Sequence, residues 1–290
     1  MHKNDGSLIS FTLLAQFSVG LIWFYTFVYL RPGQLDLNLQ IGGFLISPVF
    51  IALVAIALAV LLSFLHLGSP FRAPRAFANI FSSWLSLEIL LLSIFGFLVL
   101  GLFIVQQLNI DQSMLFAILL GLADLTGLLL LFAMTRIYLL PTVPPWNNAF
   151  TPLQFLFSAV VSGGMVMMGF LLQNPENYPL AKNLMRILVM AIILEAGFAW
   201  LFNQHLKYLK GLHDQKPAHN TGVYFSIYVV RAFIMLVCVF FLAYLSITIH
   251  PESSNHFAII RFYSLIFGLL ILQEVAGRYL FYQSYFRIGV

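Results

Sequence analysis

The chain has 290 residues, of which 61% are hydrophobic, 16% aromatic and only 8% charged. Soluble globular domains carry about 25% charged residues, so this composition excludes a soluble enzyme and a disordered chain. The formal net charge of +4 is too thinly spread to form a basic patch, which excludes nucleic acid as a partner. The composition therefore predicts a polytopic protein whose surroundings are the lipid bilayer.

Eight apolar stretches are long enough to cross a bilayer as helices, which takes about 20 residues each. None alternates between apolar and polar residues, so they predict helices rather than barrel strands. The predicted spans cover residues 9–30, 43–67, 84–107, 113–140, 150–173, 183–203, 223–249 and 257–282. We expect one all-α integral membrane domain over residues 1–290, with a solvated linker over about 204–222. An even number of transmembrane helices places both termini on one side, here called side A.

Ten of the 14 lysine and arginine residues lie in the loops and helix ends of side A. The positive-inside rule favours a cytoplasmic side A on this count. Three of the ten, Arg136, Arg231 and Arg278, lie within predicted spans, however, so the bias toward the cytoplasm is weak.

Ionisable residues inside spans are energetically costly and therefore mark candidate functional sites. Six fall in the side-A half of the membrane, which predicts a polar pocket there: His66, Glu88, Arg136, Arg231, Glu274 and Arg278. A plainer interpretation is that Glu274 and Arg278, four residues apart, neutralise each other. Asp124 and Glu195 lie nearer the midplane, and we interpret them as hydrogen-bonded packing groups rather than a proton path toward the other side.

Cofactor ligands are scarce in this sequence. The single cysteine, Cys238, cannot hold an iron–sulfur cluster, and we predict no metal site. Only His66 and His205 lie at helix ends, both on side A, so one bis-histidine haem b at that surface is an alternative. A secondary transporter is a second alternative, against which stand the lack of a visible internal repeat and of broken helices.

Two loops on side A carry further candidates. The segment after His66 contains Gly68 and Pro70, which end a helix, and then Arg72 and Arg75. The segment after Tyr138 is rich in proline and carries Trp146, which suits an interfacial lid, a docking surface or a simple membrane anchor.

Several of these segments together resemble the membrane anchor subunit family of bacterial dimethyl sulfoxide reductase. The resemblance rests on residues 65–70 (LHLGSP), 72–73, 88, 136–138, 142–144, 146, 151–152, 163–164, 274–278 and 281–282. It implies an eight-helix, haem-free anchor in the bacterial inner (cytoplasmic) membrane that binds and oxidises menaquinol in anaerobic respiration. Family members with exported partners place side A in the periplasm, and the resemblance favours that orientation.

The resemblance also implies partners and roles. Electrons would pass to a four-cluster, ferredoxin-type iron–sulfur subunit and then to a molybdopterin catalytic subunit, so this chain is the quinol-oxidising component of an oxidoreductase complex. It ties His66 and Glu88 to quinol chemistry. Around them we expect quinol contacts from Arg136, Tyr138, Glu274 and Arg278. For docking of the iron–sulfur subunit we expect Arg72, Arg75 and Trp146.

Overall fold

The computed structural model describes residues 5–31, 37, 39–41, 44–66, 83–110, 113–212, 221–250 and 256–288. Its described part contains eight α-helices. They are α1 (Asp5–Tyr29), α2 (Pro48–His66), α3 (Trp84–Gln107), α4 (Met114–Tyr138), α5 (Phe150–Leu171), α6 (Tyr178–Leu212), α7 (Thr221–Thr248) and α8 (His256–Gln283). Seven of these, all except α2, are long and apolar enough to cross a membrane. The chain is therefore an all-α, multi-pass membrane protein.

Helices α4, α6 and α8 run in the same direction, as contacts at the two ends of the bundle show. At one end, the last residue of α4, Tyr138, contacts Tyr282 near the end of α8, and Lys210 near the end of α6 lies over the ring of Tyr224 near the start of α7. We call this the A end, because it corresponds to the predicted side A. At the opposite end, the start of α6 contacts the start of α8 through Tyr178 and His256.

Helices α3 and α4 begin where serine side chains satisfy their first backbone N–H groups. Ser83 accepts a hydrogen bond from the Ser86 backbone at the start of α3, and Ser113 does the same for Phe116 at the start of α4. Such caps stabilise a helix by about 1 kcal/mol. These starts agree with the boundaries predicted for the third and fourth spans.

The predicted second span begins too early. Residues 44–46, which fall inside it, pair with Leu39–Ile41 as a short antiparallel hairpin, and α2 begins only at Pro48. The sequence between the two strands is Gly42-Gly43, which is typical of a tight hairpin turn. Ser47 accepts a hydrogen bond from the Phe50 backbone and so starts the helix after the hairpin.

The predicted sixth span and the linker after it also need correction. Helix α6 runs for 35 residues to Leu212, so the first part of the expected solvated loop is helical. Leu206 and Leu209 are buried in this extension. An amphipathic face therefore continues the helix beyond the apolar stretch that hydropathy detects.

Helices α1 and α5 cross very closely through small residues. A Cβ atom on Gly20 would overlap the backbone of Ala159, and one on Gly163 would overlap the backbone of Gly20. Membrane helices associate through such small residues because they allow the backbones to approach. This crossing sets α1 in the centre of the bundle, where it also contacts α2, α4 and α8.

Candidate functional site

A buried polar cluster lies near the A end, and Arg278 of α8 is its central cation. The side chain is 3% exposed. Its Nη2 donates to Oε1 of Gln16 on α1 at 2.7 Å, and its Cζ lies 4.0 Å from the centroid of the Phe155 ring. Its Nε and Nη1 groups have no hydrogen-bond partner among the described residues. The site therefore holds a buried guanidinium with donor capacity that the described protein groups do not use.

Glu88 of α3 lies on another side of the same cluster. It is buried and interacts electrostatically with Tyr138 and Tyr282, whose hydroxyl groups are 2.8 Å apart. Arg278 interacts electrostatically with both tyrosines as well. The structure thus brings three predicted site residues, Glu88, Tyr138 and Arg278, into one cluster.

The proline-rich loop after α4 closes over this cluster. Trp146 Nε1 donates to the Phe281 carbonyl oxygen at 3.0 Å, and its ring stacks on the Phe281 ring. The backbone N–H of Ile288, after α8, donates to the carbonyl oxygen of Thr142 at 3.0 Å. Trp146 is half-buried and packs within the chain, and its contact with a partner stays a prediction.

Glu274 lies one helical turn before Arg278 and is also buried. Its carboxyl accepts hydrogen bonds from Ser158 Oγ at 2.7 Å and from Gln273 Nε2 at 2.9 Å. It does not pair with Arg278 in an ion pair within the described ranges; the ion pair present there joins Arg231 and Glu195. The mutual neutralisation of Glu274 and Arg278 that their spacing suggested is therefore limited to a longer-range electrostatic interaction.

A cavity of about 410 Å³ opens beside Glu274. Side chains of α1, α5 and α8 line it, and Leu62 of α2 completes the wall. The lining is apolar except for Ser10, Ser162 and Glu274, and Glu274 is its only charged member among the described residues. Binding sites for small apolar molecules combine such a lining with a few polar groups that orient the ligand.

His66 is the last residue of α2, one helical turn after the cavity-lining Leu62. Residues four apart lie on the same face of a helix. Its side chain falls outside what the structure describes, as do Arg72 and Arg75. The path of α2 therefore brings the His66 backbone to the A end of the cavity.

Arg136 is not part of the buried cluster, although the sequence places it at a similar depth. Its side chain is exposed, and its Cζ lies 4.8 Å from the centroid of the Trp84 ring. The last turn of α4 thus directs Tyr138 inward and Arg136 outward. The structure does not bring Arg136 together with Glu88 or Arg278.

A second polar network connects α6, α7 and α8. Arg231 Nη2 lies 2.5 Å from Oε1 of Glu195, and Arg231 Nε donates to Oε1 of Gln273 at 3.2 Å. Gln273 in turn donates to Glu274. Glu195, which the sequence suggested as a hydrogen-bonded packing group near the midplane, lies at the end of a hydrogen-bonded series that starts at the cavity wall.

Four neutral members of these networks were not predicted from the sequence. Gln16, Gln273, Ser158 and Tyr282 supply the hydrogen bonds that connect the charged residues. A glutamine within an otherwise apolar helix was the available signal, because an amide in lipid needs a partner just as a charge does. In the described part of the chain, no group of three or more histidine, cysteine or acidic side chains is placed to hold a metal ion.

Comparison with known proteins identifies the family. Residues 1–283 match the family model for the DMSO reductase anchor subunit (DmsC). Over 204 residues, the sequence is 28% identical to the C subunit of the anaerobic dimethyl sulfoxide reductase of Haemophilus influenzae, covering 68% of this protein and 70% of that one. It is 28% identical to YnfH and 25% identical to the C subunit of the Escherichia coli anaerobic dimethyl sulfoxide reductases, covering 99% of this protein and 97% of each relative. No solved structure matches the sequence. The protein therefore belongs to the family of DMSO reductase anchor subunits.

Proposed function

We propose that this membrane anchor binds menaquinol at the A end and oxidises it for a DMSO reductase complex. The observation that carries the proposal is the apolar cavity of about 410 Å³ between α1, α5 and α8, with Glu274 as the charged residue in its described lining. An isoprenoid tail needs an apolar groove, and the quinol ring needs polar partners. Ile271 and Glu274 of α8 bring both requirements together in the lining of the cavity, and Arg278 lies one helical turn beyond Glu274.

The chemistry assigns complementary roles to the predicted site residues. Oxidation of a quinol to the quinone breaks two O–H bonds and releases two protons and two electrons. His66 and Glu88 accept the protons in this proposal, because an imidazole titrates near neutral pH and a carboxylate can take the second. Arg278 donates its free N–H groups to the quinol oxygen and stabilises negative charge as the hydroxyl ionises. Its burial favours it over the exposed Arg136 for this task.

The electrons leave this protein for partner subunits. The proposed acceptor is a four-cluster, ferredoxin-type iron–sulfur subunit, which supplies a molybdopterin catalytic subunit. We propose that Arg72 and Arg75 dock the iron–sulfur subunit, because they follow His66 closely in the sequence. Trp146 supports docking of the iron–sulfur subunit indirectly, because it holds the loop after α4 against α8. Menaquinol is the bound substrate, and the proposal includes no haem or iron–sulfur cluster in the anchor.

The proposed topology has eight spans in one domain over residues 1–290, in the bacterial inner membrane. Helix α2 supports this count, because its 19 residues extend about 28 Å at 1.5 Å per residue, close to the thickness of the hydrocarbon core. It also packs between α1 and α3. Eight spans leave both termini on side A.

A comparison of two electron donors tests the quinol site. In the purified three-subunit complex, His66→Ala should abolish menaquinol-driven reduction of DMSO and retain reduction driven by a reduced viologen dye, which bypasses the anchor. The wild-type complex should quench the fluorescence of a hydroxyquinoline N-oxide quinol analogue. Equal retention of both activities in His66→Ala would remove His66 from the site. The reduced-minus-oxidised absorption spectrum of the purified complex tests the haem alternative. A b-type haem band that is present in the wild type and lost in both His66→Ala and His205→Ala would mean that the anchor binds haem.

A further inference from the structure

Helices α6 and α7 face each other through a stripe of polar residues that reaches the A end. Two contacts define how they face each other: Glu195 meets Arg231, and Lys210 meets Tyr224. On α6, Glu195, Asn203 and Lys210 are eight and seven positions apart. On α7, Tyr224, Tyr228 and Arg231 are four and three positions apart. Residues at these spacings lie on one face of a helix. This seam consists of Glu195, Asn203 and Lys210 on α6, and Arg231, Tyr228 and Tyr224 on α7.

The inner end of the seam is connected to the cavity without a break. Glu274 lines the cavity and accepts a hydrogen bond from Gln273 at 2.9 Å. Gln273 accepts one from Arg231 at 3.2 Å, and Arg231 pairs with Glu195 at 2.5 Å. Two carboxyl groups, one on the cavity wall and one at the inner end of the seam, therefore belong to one hydrogen-bonded series.

The outer part of the seam carries polar side chains among apolar ones such as Leu206 and Leu209. Asn203 is a buried amide in α6, and Tyr228 and Tyr224 interact electrostatically with Arg231. The 15 positions from Glu195 to Lys210 span about 22 Å. Buried polar side chains are disfavoured in a membrane helix unless function or pairing retains them, so their recurrence over this length calls for a functional reason.

The buried charged groups of the described part of the chain are three carboxyl groups and two guanidinium groups. The carboxyl groups belong to Glu88, Glu195 and Glu274, and the guanidinium groups to Arg231 and Arg278. An unpaired buried charge is costly in a medium of low dielectric constant, so an excess of carboxyl groups favours binding of a proton. Glu195 and Glu274 interact electrostatically. Oε2 of Glu195 has no hydrogen-bond partner in the described ranges and is buried.

A glycine on α8 makes room for the cation that links these carboxyl groups. A Cβ atom on Gly277 would lie 2.6 Å from Cζ and Nη2 of Arg231. The guanidinium therefore packs flat on the backbone of α8, which is how it contacts Gln273 of α8 and Glu195 of α6 at once.

We propose that the α6–α7 seam is the exit route for the protons released by quinol oxidation. The inference rests on the proposed function of the cavity. Two quinol O–H bonds break, the two electrons leave for the partner subunit, and His66 and Glu88 take up the two protons. These protons pass one at a time to the Glu274 carboxylate at the cavity wall and from there to Glu195, which restores the Glu274 carboxylate. The Gln273 amide and the Arg231 guanidinium hold the two carboxyl groups in place and do not themselves carry the proton. Glu195 releases it along Tyr228, Asn203 and Tyr224 to water at the A end.

Glu195→Gln in the assembled complex tests this route. The amide keeps an oxygen for Arg231 but cannot carry a proton, so menaquinol-driven turnover should fall roughly 100-fold, the lower end of what a positioned proton-transfer group contributes. The solvent deuterium isotope effect on the residual rate should rise, while dye-driven turnover and quenching of the quinol analogue stay at wild-type levels. Asp124→Asn is the matched control, since Asp124 is a carboxyl group in α4 that makes no contact with the seam in the described structure, and it should leave both the rate and the isotope effect unchanged.

An infrared difference spectrum gives a readout that does not depend on turnover. The reduced-minus-oxidised spectrum of the complex with menaquinone should contain a carboxylic acid C=O band that Glu195→Gln removes and Asp124→Asn retains. Asn203→Leu, which leaves both carboxyl groups in place and interrupts the seam, should slow turnover and keep the band. It also serves as the second variant if Glu195→Gln fails to assemble.

The failures can be told apart. A wild-type complex that does not bind the quinol analogue would overturn the proposed function. Analogue binding in the wild type, together with a wild-type rate and isotope effect in Glu195→Gln and Asn203→Leu, would overturn only the exit route. Loss of analogue binding in Glu195→Gln would overturn the exit role as well, because Glu195 would then shape the cavity instead.

Discussion

Arg278 lies over the face of Phe155, with the guanidinium carbon 4.0 Å from the ring centroid, and both side chains are almost completely buried. A desolvated contact of this kind contributes about 2 kcal/mol. The Phe155 ring contacts one face of the guanidinium group, and the hydrogen bond to Gln16 fixes one of its edges. The remaining N–H groups are therefore oriented before any ligand binds, which is the condition for electrostatic stabilisation of a developing charge.

Arg278→Lys should lower menaquinol-driven turnover by roughly 100-fold, the loss expected when one preorganised donor is removed. Lysine keeps the positive charge, but it lacks the planar guanidinium group that stacks on the Phe155 ring and donates hydrogen bonds in two directions. The measurement is menaquinol-driven beside dye-driven activity of the same purified complex. Arg136→Lys is the matched control, because Arg136 is exposed, and it should change neither activity. A full menaquinol rate in Arg278→Lys would assign Arg278 to packing.

Glu88→Gln should slow quinol oxidation and alter its pH dependence. The amide has nearly the volume of the carboxyl group but cannot accept a proton, so His66 remains as the acceptor at the quinol. An imidazole accepts a proton only when it is neutral, above its ordinary pKa near 6.5. Turnover of the variant should therefore decrease as the pH falls through about 6.5, more steeply than in the wild type. A wild-type profile at full rate would count against Glu88.

Gly20→Ala should destabilise the complex, because the new methyl group would overlap the backbone of Ala159. Overpacking of this kind costs about 1–3 kcal/mol, more than the roughly 0.5–1 kcal/mol that a helix gains from replacing glycine. The midpoint of thermal unfolding in detergent measures the effect. Gly121→Ala in α4 is the control, since a Cβ there meets nothing within 4 Å, and it should be neutral or slightly stabilising. An unchanged midpoint for Gly20→Ala would mean that α1 and α5 are less closely packed.

Reversal of both charges in Arg72→Glu and Arg75→Glu should release the iron–sulfur and catalytic subunits from the membrane. Membrane fractionation followed by dye-driven activity of the soluble fraction measures this directly. The paired change Lys207→Glu and Lys210→Glu is the control, because it reverses two charges at the end of α6, outside the sequence segment that follows His66. If the partner subunits remain fully membrane-bound in the variant with Arg72→Glu and Arg75→Glu, the iron–sulfur subunit docks on another surface.

The sequence by itself determined the class of protein and most of the helix boundaries. Hydropathy is a local property that acts along the chain, because each span must bury its own backbone in lipid. Hence α3 begins and ends where the apolar stretch does. Hydropathy fails at residues 44–46, which pair with Leu39–Ile41 as a hairpin, and after residue 203, where a buried amphipathic face continues α6. The concentration of ionisable residues toward one end was also visible, since depth can be counted at 1.5 Å per residue.

Only the tertiary structure decided which of those residues meet. The direction in which each side chain points depends on the rotation of its helix, and in lipid that rotation is set by packing between helices rather than by hydrophobicity. Arg136 and Tyr138 are two residues apart in α4, yet the first is exposed and the second is buried against Tyr282. The pairing of Arg231 with Glu195 joins residues that are 36 positions apart, and it depends on the space beside Gly277. Such contacts follow from how closely the helices approach, which a single sequence does not specify.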